Sequence, residues 1–259
     1  MPWALITGAS SGLGEEFAYA LARERFSLVL TARREDRLAA VTERARALGA
    51  LAAHPMAQDL SRRDGPPALF KRLEQAGISI DFLVNNAGFG TRGPFYQLPL
   101  ERELEEIDLN VTAMVAVARL AVAGMVERGY GTIINVASTS AFQPMPYMAV
   151  YGASKAFVLS FSLALTAEVA SRGVHVMALC PGVTRTEFQA VAGTEQVRIP
   201  AFAYMTSTTV VDQALAAARR RRPLYVNGRV NWLMAEMVRF APRRLVSRII
   251  SSMFRPAHN

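Results

Sequence analysis

Short runs of apolar residues alternate along this chain with longer segments in which apolar positions recur with helical periodicity. Short continuous runs are typical of β-strands buried on both faces, and the longer periodic segments are typical of α-helices. The runs lie at 3–7, 27–32, 51–57, 81–85, 132–137, 174–179 and 224–227, and the periodic segments at 12–24, 35–48, 64–76, 101–127, 151–172 and 209–222. This alternation predicts an α/β fold with a doubly wound, seven-stranded parallel sheet.

Length and composition favour a single domain. The chain has 259 residues, of which 51% are hydrophobic, and this is ample for a core covered by helices on both faces of a sheet. We expect residues 1–230 to hold the sheet, the catalytic site and a substrate loop at about 187–207. Residues 231–259 are expected to form a basic amphipathic extension of the same domain.

A glycine-rich turn follows the first predicted strand. Residues 8–14 read Gly-Ala-Ser-Ser-Gly-Leu-Gly and lead directly into a helical segment. In this context glycines permit a tight turn and let a pyrophosphate approach the backbone N–H groups at the positive end of the helix. The alternative is an ordinary strand-to-helix turn, which rarely needs three glycines and two serines. The turn therefore predicts a phosphate-binding site.

The second predicted strand ends without an acidic residue. A fold selective for NAD usually places Asp or Glu there, bonded to the ribose 2′-hydroxyl. Here Ala32 is followed by Arg33 and Arg34, and a guanidinium would pair with the extra phosphate of NADP. The alternative is a pair of solvated arginines at the end of a strand. The pattern favours NADP over NAD.

Three polar residues form a candidate catalytic group. Ser138 ends an apolar run, and Tyr151 and Lys155 are four residues apart in a helical segment, so the latter two share a helix face. A neighbouring ammonium favours the phenolate, so we expect it to lower the pKa of Tyr151 from about 10 towards neutrality. The alternative is a Tyr and a Lys that share an exposed helix face by chance.

Taken together, these motifs resemble the short-chain dehydrogenase/reductase family over nearly all of residues 3–230, which implies a Rossmann-type sheet. The resemblance is carried by Thr7-Gly8-(x)3-Gly12-x-Gly14, Asn85-Asn86-Ala87-Gly88, Asn110, the Ser138, Tyr151 and Lys155 group, and Pro181-Gly182 with Thr186.

The resemblance implies a role for each of these residues. Tyr151 donates a proton to a carbonyl oxygen, Ser138 orients the carbonyl, and Lys155 binds the nicotinamide ribose and acidifies Tyr151. Asn110 holds a water that links Lys155 to solvent. The residues implied to bind the cofactor are Gly8, Ser10, Ser11, Gly12, Leu13, Gly14, Arg33, Arg34, Asp59, Leu60, Asn86, Ala87, Gly88, Tyr151, Lys155, Pro181, Gly182, Thr184 and Thr186.

The function implied is that of an NADP(H)-dependent oxidoreductase, a carbonyl reductase that interconverts a carbonyl and an alcohol. Apolar residues in the substrate loop and before the catalytic tyrosine predict a lipophilic ketone, aldehyde, acyl-chain or steroid-like substrate. The loop residues concerned are Phe188, Val191, Val197, Ile199, Phe202, Tyr204 and Met205, together with the segment 142–148 and Phe89. The alternative is a catalytically silent NADP-binding regulatory protein. A nucleotide-sugar epimerase or dehydratase is disfavoured, because such relatives usually carry a larger C-terminal domain.

The positive charge is concentrated near the C-terminus. The net charge is +8, and residues 219–259 alone hold ten arginines and one acidic residue, a balance of +9. Two short amphipathic helices are predicted on either side of Pro242, with apolar residues at Leu233, Met237 and Phe240 and then at Leu245, Ile249 and Met253. Such a segment can cap the substrate pocket, join two subunits or contact an anionic membrane, and we rank membrane contact below the others. No nucleic-acid reading motif is present, which argues against nucleic-acid binding.

The remaining features concern compartment and partners. Cys180 is the single cysteine, and the three histidines are scattered without metal-ligand spacing. The N-terminus runs directly into the first strand, and we expect no apolar stretch of the ~20 residues that span a bilayer. A cytoplasmic location is therefore expected. The resemblance also implies a homodimer or homotetramer, joined by the long helices that hold Asn110 and Tyr151, acting on a small-molecule substrate.

Overall fold

A computed structural model describes residues 1–197 and 203–256 of the chain. Seven strands form one sheet in the order β3-β2-β1-β4-β5-β6-β7, and every neighbouring pair is parallel. The strands are β1 (Trp3–Thr7), β2 (Ser27–Thr31), β3 (Ala52–Pro55), β4 (Phe82–Asn85), β5 (Gly131–Val136), β6 (Val174–Cys180) and β7 (Leu224–Val226). The predicted doubly wound, seven-stranded sheet is confirmed.

Helices connect the strands and cover both faces of the sheet. They are α1 (Gly12–Arg23), α2 (Glu35–Ala47), α3 (Gly65–Gln75), α4 (Leu100–Ile107), α5 (Met114–Arg128), α6 (Ala149–Val169), α7 (Phe188–Ala192), α8 (Ser207–Arg219), α9 (Arg229–Val238) and α10 (Arg243–Phe254). The single helix predicted over 101–127 is interrupted, because residues Asp108–Ala113 form a π-helical turn between α4 and α5. Pro242 precedes α10 and separates the two C-terminal helices, as the sequence predicts.

Alternate residues along the strands pack into two separate hydrophobic cores. Ile6 and Leu28 face a core made with α1, α2 and α8, whereas Leu5 and Val29 face a core made with α3 and α5. All four of these side chains are fully buried. Burial on both faces explains why the strands read as continuous apolar runs rather than as alternating ones.

The strand order determines where a ligand can bind on this sheet. β1 lies between β2 and β4, so the chain leaves β1 in one direction towards β3 and in the other towards β7. In open parallel sheets, ligands bind in the crevice at the carboxyl ends of the strands where the order reverses. Here Thr7 Oγ1 accepts hydrogen bonds of 2.9 Å from the backbone N–H groups of Asn86 and Ala87. This contact joins the ends of β1 and β4 beside the glycine turn.

Within the described residues, two helical stretches are long and apolar enough by composition to span a bilayer, Leu100–Arg128 and Ala149–Arg172. The expectation that no stretch reaches this length is therefore wrong. Both stretches pack along the sheet, α5 against β4 and β5 and α6 against β5 and β6, which accounts for part of their apolar character. By the same test, the core helix of a soluble protein passes as readily as a membrane span.

Candidate active site

Two glycines of the 8–14 turn are required by backbone conformation and close packing. Gly8 has φ +65°, and a Cβ there would lie 2.9 Å from the Cα of Ala87. A Cβ on Gly14 would lie 2.3 Å from the carbonyl oxygen of Gly8. The absence of side chains therefore lets α1 start directly above the turn and beside β4. Gly14 is buried at the start of α1 and does not itself line the cavity.

A cavity of about 440 Å³ opens at the carboxyl ends of the strands. It extends from the glycine turn past the end of β2 to the start of α6 and the loop after β6. The predicted cofactor residues along its wall are Gly8, Ser10, Ser11, Gly12, Leu13, Arg33, Arg34, Asp59, Leu60, Asn86, Ala87, Gly88, Tyr151, Lys155, Pro181, Gly182, Thr184 and Thr186. A glycine-lined helix N-terminus beside two arginines suits a dinucleotide diphosphate with an additional phosphate.

The two arginines after β2 differ in their contacts. Arg34 donates to Ser10 Oγ at 3.2 Å and to Ser11 Oγ at 3.0 Å, so its guanidinium lies over the glycine turn. Its Nη1 lies 3.1 Å from Glu187 Oε2. Arg33 is exposed and lines the cavity without a hydrogen bond of its own among the described residues. Glu187 also pairs with Arg37. Sequence reasoning missed Glu187 as a site residue, because its partners are distant in the chain.

Tyr151 and Lys155 lie one turn apart in the first half of α6, and both are buried. Lys155 Nζ donates to the carbonyl oxygen of Val136 at 2.9 Å and lies 5.8 Å from the centroid of the Tyr151 ring. The hydroxyl of Ser138, just beyond β5, accepts from the N–H of Ser140 at 3.1 Å and lines the same part of the cavity. The fold thus brings the predicted serine, tyrosine and lysine to one end of the cavity.

The prediction that the pKa of Tyr151 is lowered is wrong, because in this fold the pKa is raised. Burial raises the pKa of Tyr151 to about 12, and the nearby Ser138 hydroxyl opposes that rise only in part. Burial also lowers the pKa of Lys155 to about 8. The physical reason is that both groups are almost completely removed from water, so each favours its neutral form. The phenol is therefore protonated at neutral pH.

Asn110 occupies the π-helical turn between α4 and α5. Its side chain donates to Phe89 O at 2.8 Å and to Ser154 Oγ at 3.1 Å, and it accepts from Phe89 N at 3.1 Å. Asn110 lies beneath the cavity wall rather than on it, since a Cβ on Gly88 would lie 2.7 Å from its Oδ1 and 3.5 Å from Lys155 Nζ. A side chain at Gly88 would therefore clash with Asn110 and crowd Lys155.

A buried acidic pair near Lys155 was not found from the sequence. Thr91 Oγ1 lies 2.9 Å from Glu106 Oε2 and also contacts Glu103, and both glutamates are buried. Glu106 Oε1 has no hydrogen-bond partner among the described residues. Burial raises the pKa of Glu106 to about 7. The one available signal was that Glu106 precedes Asn110 by one helical turn and so faces inward.

The segment after β6 is held by short local contacts. Thr184 Oγ1 donates to Gly182 O at 3.1 Å, and Gln189 Nε2 donates to Thr184 O at 2.6 Å. The N–H of Thr186 donates to Gln189 Oε1 at 3.2 Å. Across the cavity, Asp59 Oδ1 accepts from both the N–H and the hydroxyl of Ser61. These contacts fix the loops that carry the predicted cofactor residues.

Apolar side chains line the end of the cavity that holds Tyr151. The Phe188 ring lies 5.2 Å from the Tyr151 ring, and Met145, Met148, Val191 and Phe89 complete this wall. All of these were expected at the substrate site. Val197 is buried but does not line the cavity, Tyr204 and Met205 lie outside it, and Ile199 and Phe202 fall outside the described residues.

The C-terminal helix also reaches the cavity. Phe254 lines it, and Ile250 and Phe254 pack against the cluster of Met145, Met148 and Tyr151. Arg92 fixes this arrangement by donating to Phe254 O at 2.9 Å, to Arg255 O at 3.1 Å and to Gly193 O at 3.1 Å. The sequence allowed a pocket cap as one role for this helix, but it gave no means of identifying Phe254 or Arg92.

No cluster of three or more His, Cys, Asp or Glu side chains suited to a metal ion occurs in the described part of the chain. Cys180 is fully buried in β6, and burial raises the pKa of its thiol to about 12. The ionisable side chains that line the cavity are Tyr151 and Lys155 at one end, with Asp59, Glu187 and the two arginines elsewhere along its wall.

This fold and cavity define an oxidoreductase of the dinucleotide-binding type. Residues 2–196 match the family model of short chain dehydrogenases. The chain belongs to the short-chain dehydrogenase/reductase family, as predicted. Membership confirms the expected enzyme class and its nicotinamide cofactor.

Three relatives illustrate the similarity. A short-chain dehydrogenase from Sphingobium yanoikuyae in complex with NADPH superposes with a TM-score of 0.83 at 34% identity, over 100% of this chain and 98% of that one. The bulky-bulky ketone specific alcohol dehydrogenase from Comamonas testosteroni gives 0.79 at 31% identity, over 100% and 97%. The very-long-chain 3-oxoacyl-CoA reductase of Mus musculus is 29% identical over 265 residues, covering 99% of this chain and 81% of that protein.

Proposed function

We propose that this chain is an NADP(H)-dependent oxidoreductase that interconverts a lipophilic ketone and the corresponding secondary alcohol. The observation that carries the proposal is the buried Tyr151 phenol, which lies between Lys155 on one side and an apolar wall on the other. A single protonated donor beside an apolar cavity suits the reduction of a carbonyl whose substituents are hydrocarbon.

The reaction follows from the positions of these groups. NADPH, when bound, supplies hydride to the carbonyl carbon, and the carbonyl oxygen becomes an alkoxide. The Tyr151 phenol is protonated at neutral pH, so its hydroxyl can deliver a proton to that oxygen. Ser138 lines the same part of the cavity and orients the oxygen by a hydrogen bond. Lys155, with Asn110 behind it, stabilises the phenolate that remains and provides the route for its reprotonation.

Selectivity for NADP(H) is assigned to the arginines at the other end of the cavity. Arg34 lies over the glycine turn, held by Ser10 and Ser11, and Arg33 is exposed beside it. Both can pair with a 2′-phosphate, whereas no acidic residue ends β2 to receive a ribose 2′-hydroxyl. The relative solved with NADPH supports the same cofactor.

The substrate class is inferred from the apolar end of the cavity. Phe89, Met145, Met148, Phe188 and Phe254 offer a wall without a charged side chain. This lining suits a ketone with bulky alkyl or ring substituents, or the acyl portion of a longer chain. The alcohol dehydrogenase specific for bulky-bulky ketones and the 3-oxoacyl-CoA reductase, both similar to this chain, support that range.

We further propose a homodimer formed through α5 and α6. Leu120 on α5 and Phe157 and Leu163 on α6 are exposed apolar side chains on the two long helices. Apolar side chains on adjacent long helices are typical of self-association. The expected cytoplasmic location stays a prediction.

The test is the loss of NADPH absorbance with ketones of increasing chain length and ring count, with NADH in parallel. Tyr151→Phe removes only the buried hydroxyl, so NADPH binding is expected to persist while turnover falls by about a thousandfold. Tyr130→Phe removes an exposed hydroxyl and is the matched control, expected to retain full activity. Full turnover in Tyr151→Phe would overturn the proposal. NADPH binding without turnover on any carbonyl would favour the regulatory alternative.

A further inference from the structure

Helix α9 exposes a continuous apolar stripe. Ala235 points inward and is buried, whereas four larger apolar residues one turn apart lie on the outer side. These are Val230, Leu233, Met234 and Met237, and each is about half exposed, between 48% and 61%. Spacing of three and four residues places them on one face of the helix.

Helix α10 continues this apolar surface. Leu245, Ile249 and Met253 are spaced four residues apart and are 51%, 51% and 38% exposed, whereas Val246 faces inward. Phe240 lies between the two helices with 86% of its surface exposed. An aromatic side chain this exposed, with eight other exposed apolar residues on the adjoining helices, is unusual for a surface in contact only with water.

Arginines surround the stripe. Arg244 and Arg248 immediately precede Leu245 and Ile249, and Arg229, Arg239 and Arg243 are also exposed. Glu236 is the single acidic residue in the segment 219–259, and it already forms an ion pair with Arg239 at 3.1 Å. The surface made by α9, the Phe240 turn and α10, here called the C-terminal face, is therefore both apolar and strongly cationic.

The C-terminal face is connected to the substrate cavity through α10. One side of this helix carries Leu245, Ile249 and Met253 at the surface, and a neighbouring side carries Ile250 and Phe254 against the cavity wall. A lipophilic molecule that reaches α10 from outside therefore meets apolar side chains on both sides of the helix.

We infer that the C-terminal face docks on an anionic lipid bilayer, with Phe240 and the apolar stripes of α9 and α10 in the headgroup region and the arginines on lipid phosphates. Amphipathic helices bind such surfaces when an apolar face is combined with basic residues. A second copy of the chain is a poorer occupant, because two C-terminal faces in contact would oppose like charges. Docking goes beyond the proposed reaction and does not depend on it.

The test uses the full chain with vesicles of phosphatidylcholine, with and without phosphatidylserine as about a third of the lipid. Binding is followed by co-sedimentation and by tryptophan fluorescence, in which Trp232, 53% exposed on α9, is the residue on the C-terminal face and Trp3 in β1 is a constant background. We expect binding to anionic vesicles with a blue shift of the emission, and weak binding to neutral ones. Because each basic residue near an anionic leaflet contributes about fivefold, Arg244→Glu with Arg248→Glu is expected to weaken binding by at least about 25-fold.

Two further variants make the outcomes distinct. Arg63→Glu with Lys71→Glu makes the same change of charge at exposed positions in and near α3, and it should bind like the unmodified chain. Phe240→Ser is expected to reduce the blue shift of Trp232. Absent binding, or equal binding to neutral and anionic vesicles, would overturn the inference. A dimer that Phe240→Ser disrupts, without vesicle binding, would overturn it too and assign the face to a second copy. Vesicle binding needs no substrate, so a failure here leaves the reductase proposal untouched.

Discussion

Arg34 and Glu187 are 153 positions apart in the chain and form an ion pair of 3.1 Å, Nη1 to Oε2, at the phosphate end of the cavity. The same guanidinium also bonds to Ser10 and Ser11 of the glycine turn. The pair therefore links the turn after β1 to the loop after β6. It also means that the arginine proposed to select NADP(H) already has an acidic partner.

Replacing Arg34 with alanine is expected to weaken NADPH binding by about ten- to a hundredfold and NADH binding much less, because only NADPH carries the 2′-phosphate. Dissociation constants for both cofactors, measured by fluorescence or calorimetry, give the comparison. Arg33→Ala is expected to have the smaller effect, since Arg33 has no hydrogen bond among the described residues that would position it. Equal losses of NADPH and NADH affinity would show that Arg34 supports the loop rather than the 2′-phosphate.

Replacing Glu187 with glutamine is expected to tighten NADPH binding. Hydrogen bonds from Arg37 and Arg34 hold the pKa of Glu187 below its usual range, so the carboxylate is charged at neutral pH and competes with a phosphate for Arg34. Glutamine keeps the shape and removes the charge. We expect the ratio of NADH to NADPH dissociation constants to rise severalfold. A lower NADPH affinity in the variant would mean that the ion pair positions Arg34 for the phosphate.

The sequence was sufficient to predict the sheet and most of the cavity wall, because these features depend on residues that are close together in the chain. The apolar runs of β1 and β2 and the glycine turn between β1 and α1 depend on neighbouring residues, which a pattern records directly. Glu187, Arg92 and Phe254 gain their roles from partners far away in the chain, and no local pattern encodes such pairs. The prediction for the pKa of Tyr151 was wrong for another reason, because burial outweighs the hydrogen bond with Ser138 and burial is a property of the whole fold.

Glu106 is expected to make the stability of the fold depend on pH. Its pKa rises from 4.5 to about 7 on folding, so the folded state binds more protons than the unfolded state between these values. The free energy of unfolding therefore decreases as pH rises through this interval. Glu106→Gln cannot ionise, and we expect its stability relative to the unmodified chain to increase by about 2 to 3 kcal/mol between pH 5 and pH 8. Urea unfolding at several pH values measures this difference.

The pH experiment must compare Glu106→Gln with the unmodified chain, because His175 makes the free energy of unfolding depend on pH in the opposite direction. Burial lowers the pKa of His175 from 6.5 to about 4, so its contribution to stability increases as pH rises through that interval. The comparison between Glu106→Gln and the unmodified chain cancels this contribution. Glu105→Gln, on the exposed side of the same helix, is the control and should show no such trend. A trend equal in both variants would exclude Glu106 as its source.

Arg92 is expected to control substrate affinity without taking part in the chemistry. Its guanidinium bonds to carbonyl oxygens of Gly193, Phe254 and Arg255, and so it ties the C-terminal helix to the loop beside the cavity. In Arg92→Ala we expect KM for a bulky ketone to rise about tenfold, since a charged donor is lost from these carbonyls. The kcat value and NADPH affinity should change little, because Tyr151 and Lys155 are untouched. Arg92→Lys keeps the charge but loses the forked guanidinium, so its KM should lie between those of the unmodified chain and Arg92→Ala. A fall in kcat at constant KM would contradict this role, because it would place the effect of Arg92 at the reacting groups.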